Sequence, residues 1–291
     1  MQQTWFITGS SRGLGRALVR AALEAGDLVA ATARRPDQLA DLVAEFGDRV
    51  QPVRLDVTDP AAARSALAEA RRHFGRIDVL VNNAGYANVS PIETTQDDDF
   101  RAQFETNFWG VYNVTKAALP ILREQQGGLV IQFSSTGGRV GGSPGIASYQ
   151  AAKFAIDGFS RVLRAETAPF GVKVLVVEPS GFRTDWAGSS MVVHDTPDAY
   201  AQTVGVMNTR IRQSTEGPAG DPLRAAEILV RVAKRNDIPE HLPLGVTAAE
   251  GSIQLDRRLL ADDLKWREVS RSADFAEPYP VAFPPDPAGP A

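Results

Sequence analysis

The chain has 291 residues, 43% hydrophobic, 23% charged and 8% aromatic, which excludes wholesale disorder and provides enough apolar material for a sizeable core. Lysine and arginine number 31 against 35 aspartate and glutamate, and the net charge of −4 offers no general attraction to nucleic acid or an anionic membrane surface. With no cysteine and three scattered histidines, disulfides, thiolate metal sites and a cysteine nucleophile are excluded, and a catalytic zinc site is disfavoured.

Strand-like and helix-like segments alternate from the start. Residues 5–8 read as a strand, followed by a helix with Leu14, Ala17, Leu18, Ala21 and Ala22 on one face and Gly26 at its close. Residues 28–32 form the second strand, and Asp37 is expected to cap a helix burying Leu39, Leu42, Val43 and Phe46. Residues 50–55 form the third strand, Asp59-Pro60 opens a helix, and residues 77–81 form the fourth. After a helical stretch near 98–125, residues 129–133 and 172–177 are apolar runs without polar alternation, as strands covered on both faces require. A helix over about 149–169 lies between them. A further helix near 222–235 and a last strand near 242–246 complete the pattern.

The expected fold is α/β: one doubly wound Rossmann-type domain over residues 1–250, about seven mostly parallel strands with helices on both faces. Residues 185–220 have weak periodicity and read as a substrate loop. Residues 251–291 read as a C-terminal extension whose last fourteen residues hold six prolines. No internal repeat, membrane-length apolar run or leader-like start is evident, and a cytoplasmic location is expected.

Between the first strand and helix stands Thr8-Gly9-Ser10-Ser11-Arg12-Gly13-Leu14-Gly15, where glycines permit a tight turn and let backbone N–H groups approach an anion. This is the outline of a dinucleotide pyrophosphate site. After the second strand, where an acid would meet the ribose 2′-hydroxyl of NAD, the chain has Ala33-Arg34-Arg35. Arg34, with Arg12 as a second charge, suits a 2′-phosphate and favours NADP over NAD. Asp37 is the rival ribose ligand, although a capping role suits its position better.

Tyr149 and Lys153 are four apart on one helix face. The pair follows, in order, the glycine loop, Asn82-Asn83-Ala84-Gly85, Asn107 and Ser134-Ser135, and precedes Pro179-Ser180-Gly181-Phe182-Arg183-Thr184. On these motifs the chain resembles the short-chain dehydrogenase/reductase family, in its short rather than extended branch, over residues 4 to about 250. The resemblance implies hydride transfer between NADP(H) and a small-molecule secondary alcohol, ketone or aldehyde of apolar character. Tyr149 would be the general acid/base, with the Lys153 ammonium lowering its pKa and also holding the nicotinamide ribose. Ser135 would orient the reacting oxygen, and Asn107 would hold a water linking the lysine to solvent. By the same resemblance Gly9, Ser11, Arg12, Gly13, Leu14 and Gly15 cradle the phosphates. Asp56 and Val57 meet the adenine, and Asn83, Ala84 and Gly85 line its ribose. Pro179, Gly181, Phe182 and Thr184 contact the nicotinamide end. A homo-oligomer, dimer or tetramer, pairing through helices 98–125 and 149–169 is also implied.

The interval from Ser135 to Tyr149 is one residue longer than the family's usual spacing. Ser135 is preferred because the glycine-rich segment 137–145 can absorb a residue, and Thr136 is the alternative hydroxyl. Three other readings compete. Gly141-Gly142-Ser143-Pro144-Gly145 matches a hydrolase nucleophile elbow, but Pro144 lacks the N–H that an oxyanion hole needs there. A non-catalytic NADP sensor would predict a decayed site, whereas Asn107, Ser135, Tyr149 and Lys153 are all present. Asp97-Asp98-Asp99 reads as a helix cap and first-turn charge, so no metal is assigned. Trp186, Met191, Val192, Val193 and Met207 suggest an apolar substrate pocket or lid packing.

Overall fold

The structure is a computed structural model that describes residues 2–185, 191–213 and 217–285. Its centre is a seven-stranded parallel sheet of order β3-β2-β1-β4-β5-β6-β7. The strands are β1 (Thr4–Ile7), β2 (Leu28–Ala33), β3 (Val50–Arg54), β4 (Val79–Asn82), β5 (Gly128–Phe133), β6 (Val172–Pro179) and β7 (His241–Leu244). Successive strand residues face opposite sides, and here both sides are apolar. Trp5, Ile7, Val79 and Val81 pack with α1 (Gly13–Glu24) and α8 (Pro222–Ala233). Phe6, Leu80 and Val130 pack with α3 (Pro60–Phe74) and α5 (Gly110–Glu124). Trp5 sits in register with Val29 on one side and Val79 on the other. Its indole N–H finds Asp27 at 3.1 Å, so even this fully buried ring leaves no donor unpaired.

The chain order reverses at β1, which has β2 on one side and β4 on the other, and a crevice opens there at the carboxyl ends of the strands. Asp59 caps α3 as expected, accepting from the N–H groups of Ala61 at 2.7 Å and Ala62 at 3.1 Å. Asp37 does not cap. Pro36 opens a 3-10 turn (Pro36–Leu39) whose first-turn acid is Asp37, and α2 (Ala40–Phe46) follows without a side-chain cap. Asp97, Asp98 and Asp99 fill the first turn of α4 (Asp97–Phe104), with Gln96 rather than an aspartate at the cap position.

The sequence pattern assigns no element to residues 251–277, and there α9 (Val246–Arg271) runs for 26 residues, anchored by buried Ala248 and Ser252. These two small residues carry no apolar period, so the pattern that announces an amphipathic helix is missing. Residues 272–285 hold no further helix or strand, and the rest of the proline-rich tail lies outside the described residues. The expected substrate loop is partly ordered too. It pairs with Val89 through Val193, forms short helical turns at Asp198–Tyr200 and Ala201–Gly205, and continues into α7 (Val206–Gln213). Among the described residues no helix is long and apolar enough to cross a membrane.

Candidate active site

The glycine loop leaves β1 at Thr8. The Thr8 hydroxyl donates to the Val81 carbonyl at 3.1 Å and accepts from the N–H groups of Asn83 at 2.9 Å and Ala84 at 3.1 Å. The Asn83 amide in turn donates to the carbonyls of Thr8 at 2.9 Å and Gly9 at 3.2 Å, lacing the loop to the end of β4. A β-carbon on Gly15 would collide with the Gly9 carbonyl oxygen and the Asn83 amide, so the helix can approach this closely only as glycine. Arg12 occupies the cap position of α1 without a side-chain hydrogen bond to the helix, which leaves the first-turn N–H groups for an anion.

A cleft of about 1580 Å3 runs from this loop across the strand ends. Gly9, Ser11, Arg12, Gly13 and Leu14 line one end, with Arg34, Asp56 and Val57 beside them. Asn83, Ala84 and Gly85 line its middle wall together with Tyr149 and Lys153, and Pro179, Gly181, Phe182 and Thr184 line another. Gly15 and Asn107 do not line it: Gly15 acts through packing, and Asn107 is fully buried behind the wall. Arg34 is exposed and forms no ion pair among the described residues, whereas Asp37 lies outside the lining. Asp56 spends one carboxylate oxygen locally, accepting from the Thr58 N–H at 3.0 Å and hydroxyl at 2.8 Å. An uncapped helix N-terminus, a glycine turn and an arginine at the cleft rim fit the pyrophosphate and ribose of a dinucleotide.

Tyr149 stands in the first turn of α6 (Ala147–Thr167), with Lys153 one turn further on, and both are nearly fully buried. The Lys153 ammonium donates to the Phe133 carbonyl at 2.7 Å and lies 5.5 Å from the centroid of the Tyr149 ring. Ser135 is hydrogen-bonded to the Tyr149 phenol and also accepts from the Gly137 N–H at 3.0 Å. Thr136 instead donates its hydroxyl to the Pro179 carbonyl at 3.1 Å, so of the two candidate hydroxyls Ser135 is the one against the phenol. The interval from Ser135 to Tyr149 holds a 3-10 turn (Thr136–Gly138) and the loop that follows.

Asn107 sits in a π-helical turn (Glu105–Trp109) between α4 and α5, and its amide donates at 2.8 Å to the carbonyls of both Tyr86 and Gln103. Its Oδ1 is buried without a hydrogen-bond partner. A β-carbon built on Gly85 would lie 2.5 Å from that oxygen and 3.5 Å from the Lys153 nitrogen, so the bare Gly85 backbone lies between the amide and the ammonium.

The electrostatics depart from the expectation that Lys153 lowers the phenol. Burial pushes the Tyr149 hydroxyl above its ordinary 10, with the Ser135 hydrogen bond working against the rise. Burial also pulls the Lys153 ammonium down to about 7. The phenol is therefore fully protonated at neutral pH, the state of a proton donor.

Of the residues proposed for an apolar pocket, Met207 lines the cleft. Met191 and Val193 pack with Ala87, Ile146 and Val204 under the lid, Val192 is exposed, and Trp186 lies outside the described residues. The apolar lining comes instead from Val140, Ile146 and Ile211, with Thr247 contributed by the start of α9. Tyr86 also lines the cleft; its place directly after Asn-Asn-Ala-Gly was the available signal. The Gly141–Gly145 segment is a loop without the strand a nucleophile elbow requires. No cluster of three metal-ligating side chains occurs among the described residues. Asp99 is engaged by the amides of Asn88 at 2.6 Å and Gln103 at 3.1 Å.

Residues 3–191 match the family model described as short chain dehydrogenase. The chain is 49% identical over 271 residues to oxidoreductase BOA17 of Botryotinia fuckeliana, covering 93% of this chain and 98% of that protein. A short-chain dehydrogenase from Streptomyces avermitilis superposes with a TM-score of 0.86 at 38% identity, over 94% of this chain and 98% of that one. The closed form of a serine dehydrogenase complexed with NADP+ superposes at 0.71 with 27% identity, over 83% and 94%.

Proposed function

The chain belongs to the short-chain dehydrogenase/reductase family of nicotinamide-dependent oxidoreductases, and from that premise we propose that it reduces apolar ketones or aldehydes, or oxidises the matching alcohols, with NADP(H) and Tyr149 as proton donor and acceptor. The cofactor supplies the hydride in reduction and takes it up in oxidation. The loop residues 9–15 and the first turn of α1 would hold its pyrophosphate, Arg34 and Arg12 its 2′-phosphate, and Asp56 and Val57 its adenine. Pro179, Gly181, Phe182 and Thr184 would border its nicotinamide end.

Within this reading the Ser135 hydroxyl orients the substrate oxygen beside the phenol, and Tyr149 gives its proton to that oxygen as negative charge develops there. Lys153, close to titration at neutral pH, returns a proton toward the phenolate, and Asn107 keeps the path behind the lysine ordered. Val140, Ile146, Met207 and Ile211 favour an apolar substituent on the carbonyl. The observation that carries the reading is the buried Tyr149 phenol, hydrogen-bonded to Ser135 at a cleft that the glycine loop also lines.

The test is a panel of carbonyls and alcohols followed at the nicotinamide absorbance with both cofactors. Tyr149→Phe should lower kcat by about 10²–10⁴-fold with cofactor affinity kept, and equal turnover in the two proteins rejects the mechanism. Exposed Trp109, Phe154 and Val162 on the helical stretch through α5 and on α6 support self-association through these helices. Sedimentation of a monomer at micromolar concentration would count against that association.

A further inference from the structure

An ion-pair chain links segments that carry the reacting groups but lies outside the cleft lining. Arg139 follows the 3-10 turn that Ser135 caps. Its guanidinium bonds Glu178 at 3.2 Å and Asp256 of α9 at 2.8 Å. Glu178 is 1% exposed and is the penultimate residue of β6, next to Pro179. Its other oxygen meets Nδ1 of His241 on β7 at 2.7 Å, and Nε2 of the same ring lies 3.3 Å from Asp157. Asp157 belongs to α6, one turn beyond Lys153, and its second oxygen accepts from Arg161 at 2.9 Å. The serine turn and the Pro179 segment are thus joined through one buried carboxylate, with Asp157 of the Tyr149 helix lying against the His241 ring on its far side.

A carboxylate this buried is costly unless fully partnered, and Arg139 with His241 supplies the partners. Backbone bonds fix the turn's internal shape, Gly138 N–H to the Ser135 carbonyl at 2.8 Å and Val140 N–H to the Thr136 carbonyl at 2.8 Å. Its near end is tied down by the Thr136 hydroxyl on the Pro179 carbonyl and by the Ser134 hydroxyl on the Lys153 carbonyl at 3.0 Å, and the guanidinium fastens its far end to β6 and α9. Building on the roles proposed above for Ser135 and Tyr149, we propose that Arg139 and its buried anchor Glu178 are positioning residues that hold Ser135 against the Tyr149 phenol.

The test compares wild type with Arg139→Met, Arg139→Lys, Glu178→Gln and the Arg139→Met/Glu178→Gln double variant, which removes both charges together and leaves no lone buried ion should a single variant fail to fold. The measurements are kcat per folded molecule on the carbonyl panel, cofactor Kd, the pH profile of kcat, and a crystal structure of the double variant. Displacing Ser135 should lower kcat by about 10–100-fold with the cofactor Kd unchanged, and the double variant should lose no more than either single. Arg139→Lys should recover part of the loss. Because the Ser135 hydrogen bond lowers the Tyr149 pKa, its loss should also move the alkaline limb of reduction to higher pH. A purely structural role would lower Tm while leaving kcat per folded molecule and the limb in place, and that result overturns the proposal. So does a double-variant crystal structure with Ser135 still bonded to Tyr149. Should wild type reduce nothing on the panel, the reaction assignment fails, and the crystal structure still decides whether this pair holds the serine.

Discussion

Lys153 and Tyr149 share one face of α6, yet the ammonium gives its hydrogen bond to the Phe133 carbonyl at 2.7 Å and stands 5.5 Å from the centre of the phenol ring. Burial dominates both groups, raising the phenol and lowering the ammonium to about 7. A raised phenol stays protonated through neutrality, so carbonyl reduction should hold level there and fall only in alkali. Alcohol oxidation needs the phenolate and should climb as pH rises above neutrality. Initial-rate profiles in both directions check this, and an oxidation rate that declines on the same rise would contradict it.

The same burial makes Lys153 a stability cost. Its pKa falls from 10.5 in the unfolded chain to about 7 in the folded protein, so between these values the unfolded state binds more protons and stability rises with pH. Below about 7 the lysine is charged in both states and the cost is at its full value. Lys153→Met should therefore abolish turnover while stabilising the cofactor-free protein, most in mild acid and progressively less toward pH 10. At roughly 2–4 °C in Tm per kcal/mol, differential scanning calorimetry at several pH values resolves the trend. A Met variant that is less stable at every pH would show that the bond to Phe133 outweighs the desolvation.

Much of the sheet was legible because strands such as 129–133 and 172–177 are apolar at all but one position each, Gln132 and Lys173, a pattern without the alternation of a half-exposed strand. The glycine loop and the Tyr149 pair were legible because their spacings are local: a turn between strand and helix, and one helical turn. What escaped the sequence is held by distant partners or by small residues. Arg139 and Glu178 are 39 positions apart and Arg139 and Asp256 are 117, separations at which no periodicity connects them. The start of α9 buries only Ala248 and Ser252, while its larger Leu259, Leu260 and Leu264 stay exposed. Asp37 misled because an aspartate before an apolar period reads as a cap, and Pro36 starts the turn one residue earlier.

Arg34 is exposed at the cleft rim, with no ion pair among the described residues to compete for its guanidinium. A charge-assisted bond to a 2′-phosphate would be lost on truncation. Arg34→Ala should weaken NADPH binding by about 10–100-fold and leave NADH binding nearly unchanged. Fluorescence titration with both cofactors measures the ratio. An unchanged ratio would remove the NADP preference from Arg34 and leave Arg12 to explain any that exists.

Gly15 tests the architecture beneath the cofactor site rather than its charges. A β-carbon there would strike the carbonyl oxygen of Gly9 and the amide of Asn83, and neither can withdraw cheaply. The Gly9 oxygen is backbone, and the Asn83 amide is committed to the carbonyls of Thr8 and Gly9. Gly15→Ala must push α1 away from the loop, disturbing the first-turn N–H groups and the lacing to β4 together. Overpacking of this kind costs about 1–3 kcal/mol, so Tm should fall and affinity for either nicotinamide cofactor should weaken in parallel. The two losses should stay coupled because one displacement causes both. A variant with lowered Tm and wild-type cofactor affinity would mean that the pyrophosphate is held by some other part of the loop.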